Sequence, residues 1–453
     1  MAIENLEELE DVASRLKRQL RTERFDFDTI RDYVKGTTGF PKIPDNSTDE
    51  IKELRKRSIK NVMPSVVNAY TDALGVIGFA TPDSEDNAPV WDKFNELNLP
   101  ALQAAVHRST VTYGVGYLSV LPGAGGALEA RAGSPRNTLA WYDSIGSMFP
   151  TYALETWTDS FGVTRGMLVD EIHAYPLHFD NEFTERSTLS GEPVRHGAVL
   201  DGKPVTPVIR FLNHLSADED DAIAGDVEPL IDIQRAITEV NFTRLLVTRY
   251  GAHPMKIITN WDAPDQAAYD AVANSVDKVL AIDDDAKIHS FDPADPAAYT
   301  AVLAEMLSSV NTMSGLNPVT TGASTMTNLS AEAIALTDAI YRGRVASKQR
   351  ALAGSWKAFL RVVGAMSGIE VDPTSEVLWK SLETPTMGAV GNLISQAEPA
   401  GIPIKYLVSL IPGITPQTVR NIRREMEENS VFDPETIFND ALAEAGLNPG
   451  ELE

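Results

Sequence analysis

The strongest constraint in this sequence is one long helical stretch and the segment that precedes it. Over 330–367, with Ser330 as its cap, Val345, Leu352, Trp356, Phe359, Leu360 and Val363 recur on one face at helical spacing. The opposite face is predicted to hold Arg342, Arg344, Lys348, Arg350, Lys357 and Arg361, with only Glu332 and Asp338 against them. The helix is thus net positive in a chain whose formal net charge is −25. Arg342, Arg344, Lys348 and Arg350 are expected on a solvated face or against an acidic neighbour, which in a symmetric ring is the next subunit. Before this helix lies GLNPVTTGASTMTN (315–328), polar and without period. It has no Lys, Arg, Asp or Glu. A loop of that length between two strong helices is a candidate functional loop.

The rest of the chain alternates in texture. Residues 4–24 read as an amphipathic helix through Leu6, Leu9, Val12, Leu16 and Leu20, and a Gly/Pro-rich break follows at 36–44. Helical patterns are predicted over 48–75, with Thr48 as N-cap, and over 90–112. Short apolar runs between turn signals, among them GVGYLSVL (114–121) and VIRFL (208–212), mark 112–215 as β-rich. Pro229 opens a helix to about 250, and Asp295–Pro296 form an N-cap and first-turn pair for another to about 314. Between them, 254–292 reads as strand, helix and a hairpin, β-α-β-β, around the turn Asp284–Asp285. The last stretch, 384–453, is helical with Pro/Gly breaks. The fold class is α+β, and 453 residues predict about two to four domains.

Composition removes several function classes. With no cysteine there are no disulfides, thiolate nucleophiles or cysteine-ligated metals, which fits a reducing cytosol or a particle assembled there. The charged start, MAIENLEELE, lacks the apolar core of a signal peptide, and no run is long and uncharged enough to span a membrane. A charge of −25 argues against tight DNA binding, since phosphate neutralisation needs cations, but is compatible with a channel past which DNA slides. No P-loop, nucleophile elbow or His-Glu-x-x-His run occurs. His107, His173, His178, His196, His214, His253 and His289 are expected to be surface or satisfied core residues. The acidic loop 217–228 fails the calcium-loop pattern at Ala222 and Ile223. Segment 403–428 resembles a helix-turn-helix, with Thr415 capping a helix that carries Arg420, Arg423 and Arg424, although Glu425, Glu427 and Glu428 follow at once. It supplies the alternative reading, a helical nucleic-acid-binding regulator.

Four segments, NVMPSVVNAYTDALGVIGF (61–79), TVTYGVGYLSVLPG (110–123), 205–254 and 317–363, occur in an order that resembles the SPP1/Gp6-like portal proteins of tailed bacteriophages. The resemblance covers nearly the whole chain. It implies a dodecameric ring with wing, stem, clip and crown around a DNA channel. By that resemblance, 1–228 is wing, 229–250 the first stem helix, 251–293 the clip and 294–314 the second stem helix. The tunnel loop is 315–329, the long wing helix with its connector 330–383, and the α-helical crown 384–453. Asn317, Thr320, Thr321, Ser324, Thr325, Thr327 and Asn328 are then expected to line the channel, with hydroxyls and amides that contact phosphates weakly. Trp261, Asp283, Asp284 and Asp285 are expected in the clip contact with the terminase large subunit during packaging and with a head-completion or adaptor protein afterwards. Major capsid and scaffolding proteins are the implied wing partners, and double-stranded DNA passes without sequence readout. The implied protein is not an enzyme, has no cofactor or metal and does not meet a membrane. It belongs to the virion, at the portal vertex of the capsid, after assembly in the host cytoplasm.

Overall fold

The first helix, α1 (Leu6–Lys35), carries Leu9, Ala13, Leu16 and Leu20 on one buried face. In the computed structural model these residues meet Leu139, Leu154, Leu168, Leu177 and Phe179 of a sheet. Each leucine so buried contributes about 2 kcal/mol before the cost of ordering the chain. The described residues are 2–80, 88–123, 125–144, 146–181, 184–216, 223–251, 256–259, 279–282, 296–317 and 331–382, with 392, 395, 396 and 422.

Helix α1 runs about three turns past the predicted end at residue 24. No breaker intervenes, and Ile30 and Tyr33 continue the buried face. Asn5 caps its start by accepting from the Glu8 N–H, and Gly36, in the left-handed region at φ 69°, ends it. The predicted helix over 48–75 is two helices, α2 (Asp49–Arg57) and α3 (Met63–Ala73), because Pro64 suits only a first turn. Thr48 does cap α2, accepting from the Ile51 N–H. After β1 (Val76–Ala80), the helix over 90–112 is likewise split, into α4 (Ala88–Glu96) and α5 (Leu99–Tyr113). Asn98, at φ 55°, turns the chain between them, and Pro100 sits in the first turn of α5.

The β-rich block follows as β2 (Val115–Pro122), β3 (Leu128–Gly133), β4 (Thr138–Trp141), β5 (Tyr152–Thr158), β6 (Thr164–Val169) and β7 (His173–Phe179). Short strands β8 (Ser187–Leu189), β9 (Val194–Arg195), β10 (Val199–Leu200) and β11 (Lys203–Pro204) lead to β12 (Val208–Leu212). One antiparallel sheet has the order β4-β5-β6-β7-β8, with β9 also on β7, and a second has the order β12-β2-β3. Val115, Tyr117 and Val208 of the second pack against Ala153, Val169 and Ala174 of the first. Asp170, fully buried after β6, accepts from the N–H groups of Ile3, Ile172 and His173 and from the Tyr175 hydroxyl. One carboxylate thus ties the N-terminal segment to a sheet turn far along the chain.

Helix α6 (Ile231–Gly251) follows a single helical turn that holds Pro229, as expected of a proline at a helix start. Strands β13 (Lys256–Thr259) and β14 (Val279–Ile282) stand where two strands of the β-α-β-β reading were expected and pair in parallel; the helix expected between them, 264–278, lies outside the described residues. The third strand of that reading, 287–291, lies outside the described residues. Helix α7 (Pro296–Ser314) starts at the predicted proline and packs along α6. Helix α8 (Ala331–Ser367) spans the predicted range. Its Trp356 is fully buried among Phe94, His107, Phe211 and Phe359, with ring centroids 5.2–6.2 Å away.

The chain divides into two units, residues 1–74 with 93–373 and residues 75–92 with 374–453. In the second, β1 pairs antiparallel with β15 (Glu376–Trp379), with a bulge between Val76 and Gly78. The rings of Phe79 and Trp91, tilted by 54°, lie 5.9 Å apart in the same unit. The connector predicted after α8 therefore contains a strand, and its partner β1 begins just past the helical stretch predicted over 48–75. Of the predicted crown and of the helix-turn-helix-like segment, only Asn392, Ser395, Gln396 and Ile422 are described, all helical.

Candidate functional site

Four stretches distant in sequence meet where the uncharged segment leaves α7. Ser314 ends that helix, and Gly315 turns the chain at φ 69°. Leu316 is buried and donates its N–H to Asn311 O, which closes the turn. Glycine is favoured here by its backbone conformation, and a Cβ at 315 would lie 2.6 Å from Arg344 Nε, so it would displace that side chain.

Tyr70 on α3 donates its hydroxyl to Ser314 O, and Arg344 on α8 donates to Met313 O at 2.7 Å. The last carbonyls of α7 are thus capped by two neighbouring helices. Tyr341, one turn before Arg344, donates to Ala69 O, and its ring lies 5.5 Å from that of Tyr70. Burial pushes the Tyr70 phenol up to about 12, so it donates at any ordinary pH.

Below these groups sits Lys348. Its ammonium lies 2.9 and 2.6 Å from the two carboxylate oxygens of Asp226, 2.7 Å from Asn213 Oδ1 and 4.9 Å from the Tyr70 ring centroid. Lys348 is 8% exposed. Burial pulls its pKa below the usual lysine value, and Asp226 opposes that shift. Asp226 belongs to the segment leading into α6, and its N–H is held by Val111 O at 2.8 Å. Gly114, the C-cap of α5 at φ 86°, lets this segment approach, since a Cβ there would lie 2.6 Å from the Ala224 carbonyl carbon.

The expectation for Lys348 is therefore corrected. It lies on the apolar face of α8 and is consumed inside the subunit rather than offered to a neighbour. Its spacing from Val345, Leu352, Trp356 and Phe359 is the signal that places it there. Arg342 and Arg350 are exposed, as read from the sequence, and Arg344 is exposed with its guanidinium turned onto α7. Asn317 is half-buried. Thr320, Thr321, Ser324, Thr325, Thr327 and Asn328 lie outside the described residues, as do Trp261, Asp283, Asp284 and Asp285. The residues missed by sequence reasoning are Tyr70, Tyr341, Asn213 and Asp226, all of which contact by tertiary packing without a local motif.

Two histidines illustrate the chemistry of the core. His107 is fully buried on α5, its Nδ1 2.6 Å from Leu74 O and its Nε2 3.0 Å from Trp356 Nε1. Because Trp356 can only donate, Nε2 accepts and Nδ1–H donates, so the ring is neutral; burial pulls its pKa down to about 4. His196 donates from Nε2 to Asp170 O and accepts on Nδ1 from the Ala198 N–H. Both are satisfied core residues, as expected. Among the described residues no group of three His, Asp or Glu side chains could hold a metal, and no helix is long and apolar enough to cross a membrane.

Two solved assemblies contain chains similar to this one. The neck of an empty gene transfer agent particle, computed with C6 symmetry, has a chain 14% identical with a TM-score of 0.43, over 82% of this chain and 96% of that one. The virion of a native gene transfer agent particle has one 12% identical with a TM-score of 0.37, over 93% and 99%. No curated protein matches the chain. The family model for phage portal protein, SPP1 Gp6-like, matches residues 14–431, and the chain belongs to that family.

Proposed function

We propose that this chain is one subunit of a closed portal ring, a dodecamer at the capsid vertex, through which double-stranded DNA is packaged and later released. The observation that carries this reading is an uncharged loop whose base is rigidly framed. Charged residues make up 23% of the chain, yet none occurs between Gly315 and Ser330. Tyr70 and Arg344 hold the last turn of α7, at the loop's first residues. Hydroxyl and amide side chains on such a frame contact a passing phosphate backbone without trapping it, because neither attraction nor repulsion of full charges is present.

In this reading α6 and α7 are the stem helices and α8 the long wing helix. The parallel pair β13–β14 belongs to the clip, 251–293, and 384–453 to the crown. Trp261 and Asp283–Asp285 are the proposed contacts of the clip with the terminase large subunit and then with a head-completion or adaptor protein. Capsid and scaffolding proteins meet the wing. The protein acts by position and catalyses no reaction, its energy source being the docked motor, and its place is the virion.

The test is replacement of Thr320 and Thr321 by lysine in the phage. The expected result is particles with intact rings by electron microscopy and at least tenfold less packaged or retained DNA. Unchanged DNA content with intact rings would remove the loop from the channel.

A further inference from the structure

We propose that a groove beside α6 seats helix α7 of a second copy of this chain, in a head-to-tail contact. The inference rests on the ring reading above and names the surfaces that would close it. The groove, of about 800 Å³, runs between α6 and the turn that follows α1. Phe40 and Pro41 form one wall, and Phe242 and Leu246 the other. The first wall is fixed. Arg55 donates to Pro41 O at 2.7 Å and lies 5.3 Å from the Phe40 ring centroid. A preformed apolar groove with fixed walls costs little ordering when filled.

The occupant is argued from charge. Lys42 and Arg235 line the groove against the single carboxylate of Glu239, an excess of positive charge in a chain of net charge −25. Helix α7 offers the complement. Leu303, Leu307 and Val310 face inward and are buried. Ala298, Ala301, Val302, Ala304 and Ser308 face outward and are exposed, and Glu305, also exposed, is the only charged residue among its 19. A solvated helix face ordinarily carries several charges; one this bare is the kind that another surface covers. Its lone carboxylate has the sign that the groove lacks.

The two surfaces lie on different helices. When one copy's α7 fills its neighbour's groove, the first copy's groove and the neighbour's α7 are still open. The contact is therefore heterologous and ends only by closing a ring.

The sequence contains no cysteine, which permits a clean test. Thr243→Cys on the groove and Val302→Cys on α7 are made singly and together and treated with a short bismaleimide. Native mass and electron microscopy of the same samples record whether rings form. The expected result is a denaturation-resistant ladder of multimers from the double variant and none from either single variant. Single variants that crosslink as well as the double would mean a face-to-face dimer and overturn the inference. Rings without a ladder from the double variant would also overturn it, while leaving the ring reading in place. Absence of rings in every sample would overturn the reading itself and the inference with it.

Discussion

Acid should weaken this fold through one buried side chain. His107 is neutral in the native state, donating from Nδ1 to Leu74 O and accepting on Nε2 from Trp356. Protonation at Nε2 would destroy the second bond and place a charge among Trp356, Phe94 and Phe211. Burial holds the folded pKa at about 4, against an ordinary value of 6.5. Below pH 6.5 the unfolded chain takes up this proton and the folded chain does not. Stability is therefore full above pH 6.5 and is lost as pH falls from 6.5 toward 4. At about 1.4 kcal/mol per pH unit, the gap amounts to about 3 kcal/mol. The perturbation is His107→Gln, which can donate to Leu74 O and accept from Trp356 but does not titrate. Denaturant unfolding of both proteins should be followed from pH 7.5 to pH 4. The variant is expected to be weaker at pH 7.5, and the wild-type advantage should shrink by about 3 kcal/mol on acidification. An advantage that is constant with pH would refute the neutral, buried assignment.

Further outcomes follow from other contacts. Lys348→Met leaves Asp226 partly buried without its cation and should cost about 1–2 kcal/mol in denaturant unfolding, with Lys348→Met/Asp226→Asn costing less than the two single changes summed. Gly114→Ala, which must hold φ 86° and press a methyl against Ala224, should cost about 2 kcal/mol or more. Trp356→Ala, at the centre of the aromatic cluster, should cost about 3–5 kcal/mol, read as a loss of cooperative thermal unfolding near the wild-type midpoint.

Much of the architecture is legible because it is written in local spacing. The range of α8 follows from apolar residues at helical intervals, and Pro229 and Pro296 mark helix starts because proline lacks the N–H that a first turn does not need. Failures cluster where tertiary contacts decide. Helix α1 continues through residues 25–35 because Ile30 and Tyr33 find a core, which propensity alone does not report. The split at residues 58–62 is held from outside. Gln234 and Asn241 of α6 bond to Lys60 O, the Val62 N–H and Ser58 O. Those polar side chains fall on the apolar stripe of α6 and look like interruptions of it. Strand β15 is not legible in the sequence, since its partner among the described residues is β1, about 300 residues earlier.

Lys348 shows why the candidate site was harder to read than the fold. A lysine on a helix is solvated far more often than buried, and counting charges assigned it to the outer face. Its position, three residues after Val345 and four before Leu352, says the opposite. A buried ion pair adds little net stability compared with apolar residues of the same volume, so its larger consequence is for orientation. Lys348 reaches Asp226 and Asn213 only at one rotation of α8, since a slip of one residue turns the helix by about 100° and would bury a different side chain against the carboxylate. That same rotation points Arg344 at Met313 O and Tyr341 at Ala69 O, one and two turns earlier. The Lys348–Asp226 pair and the Arg344 contact with the end of α7 therefore go with the same rotation of α8. The uncharged segment starts where α7 ends, and the side chains that hold the residues just before it, Tyr70 and Arg344, lie on other helices.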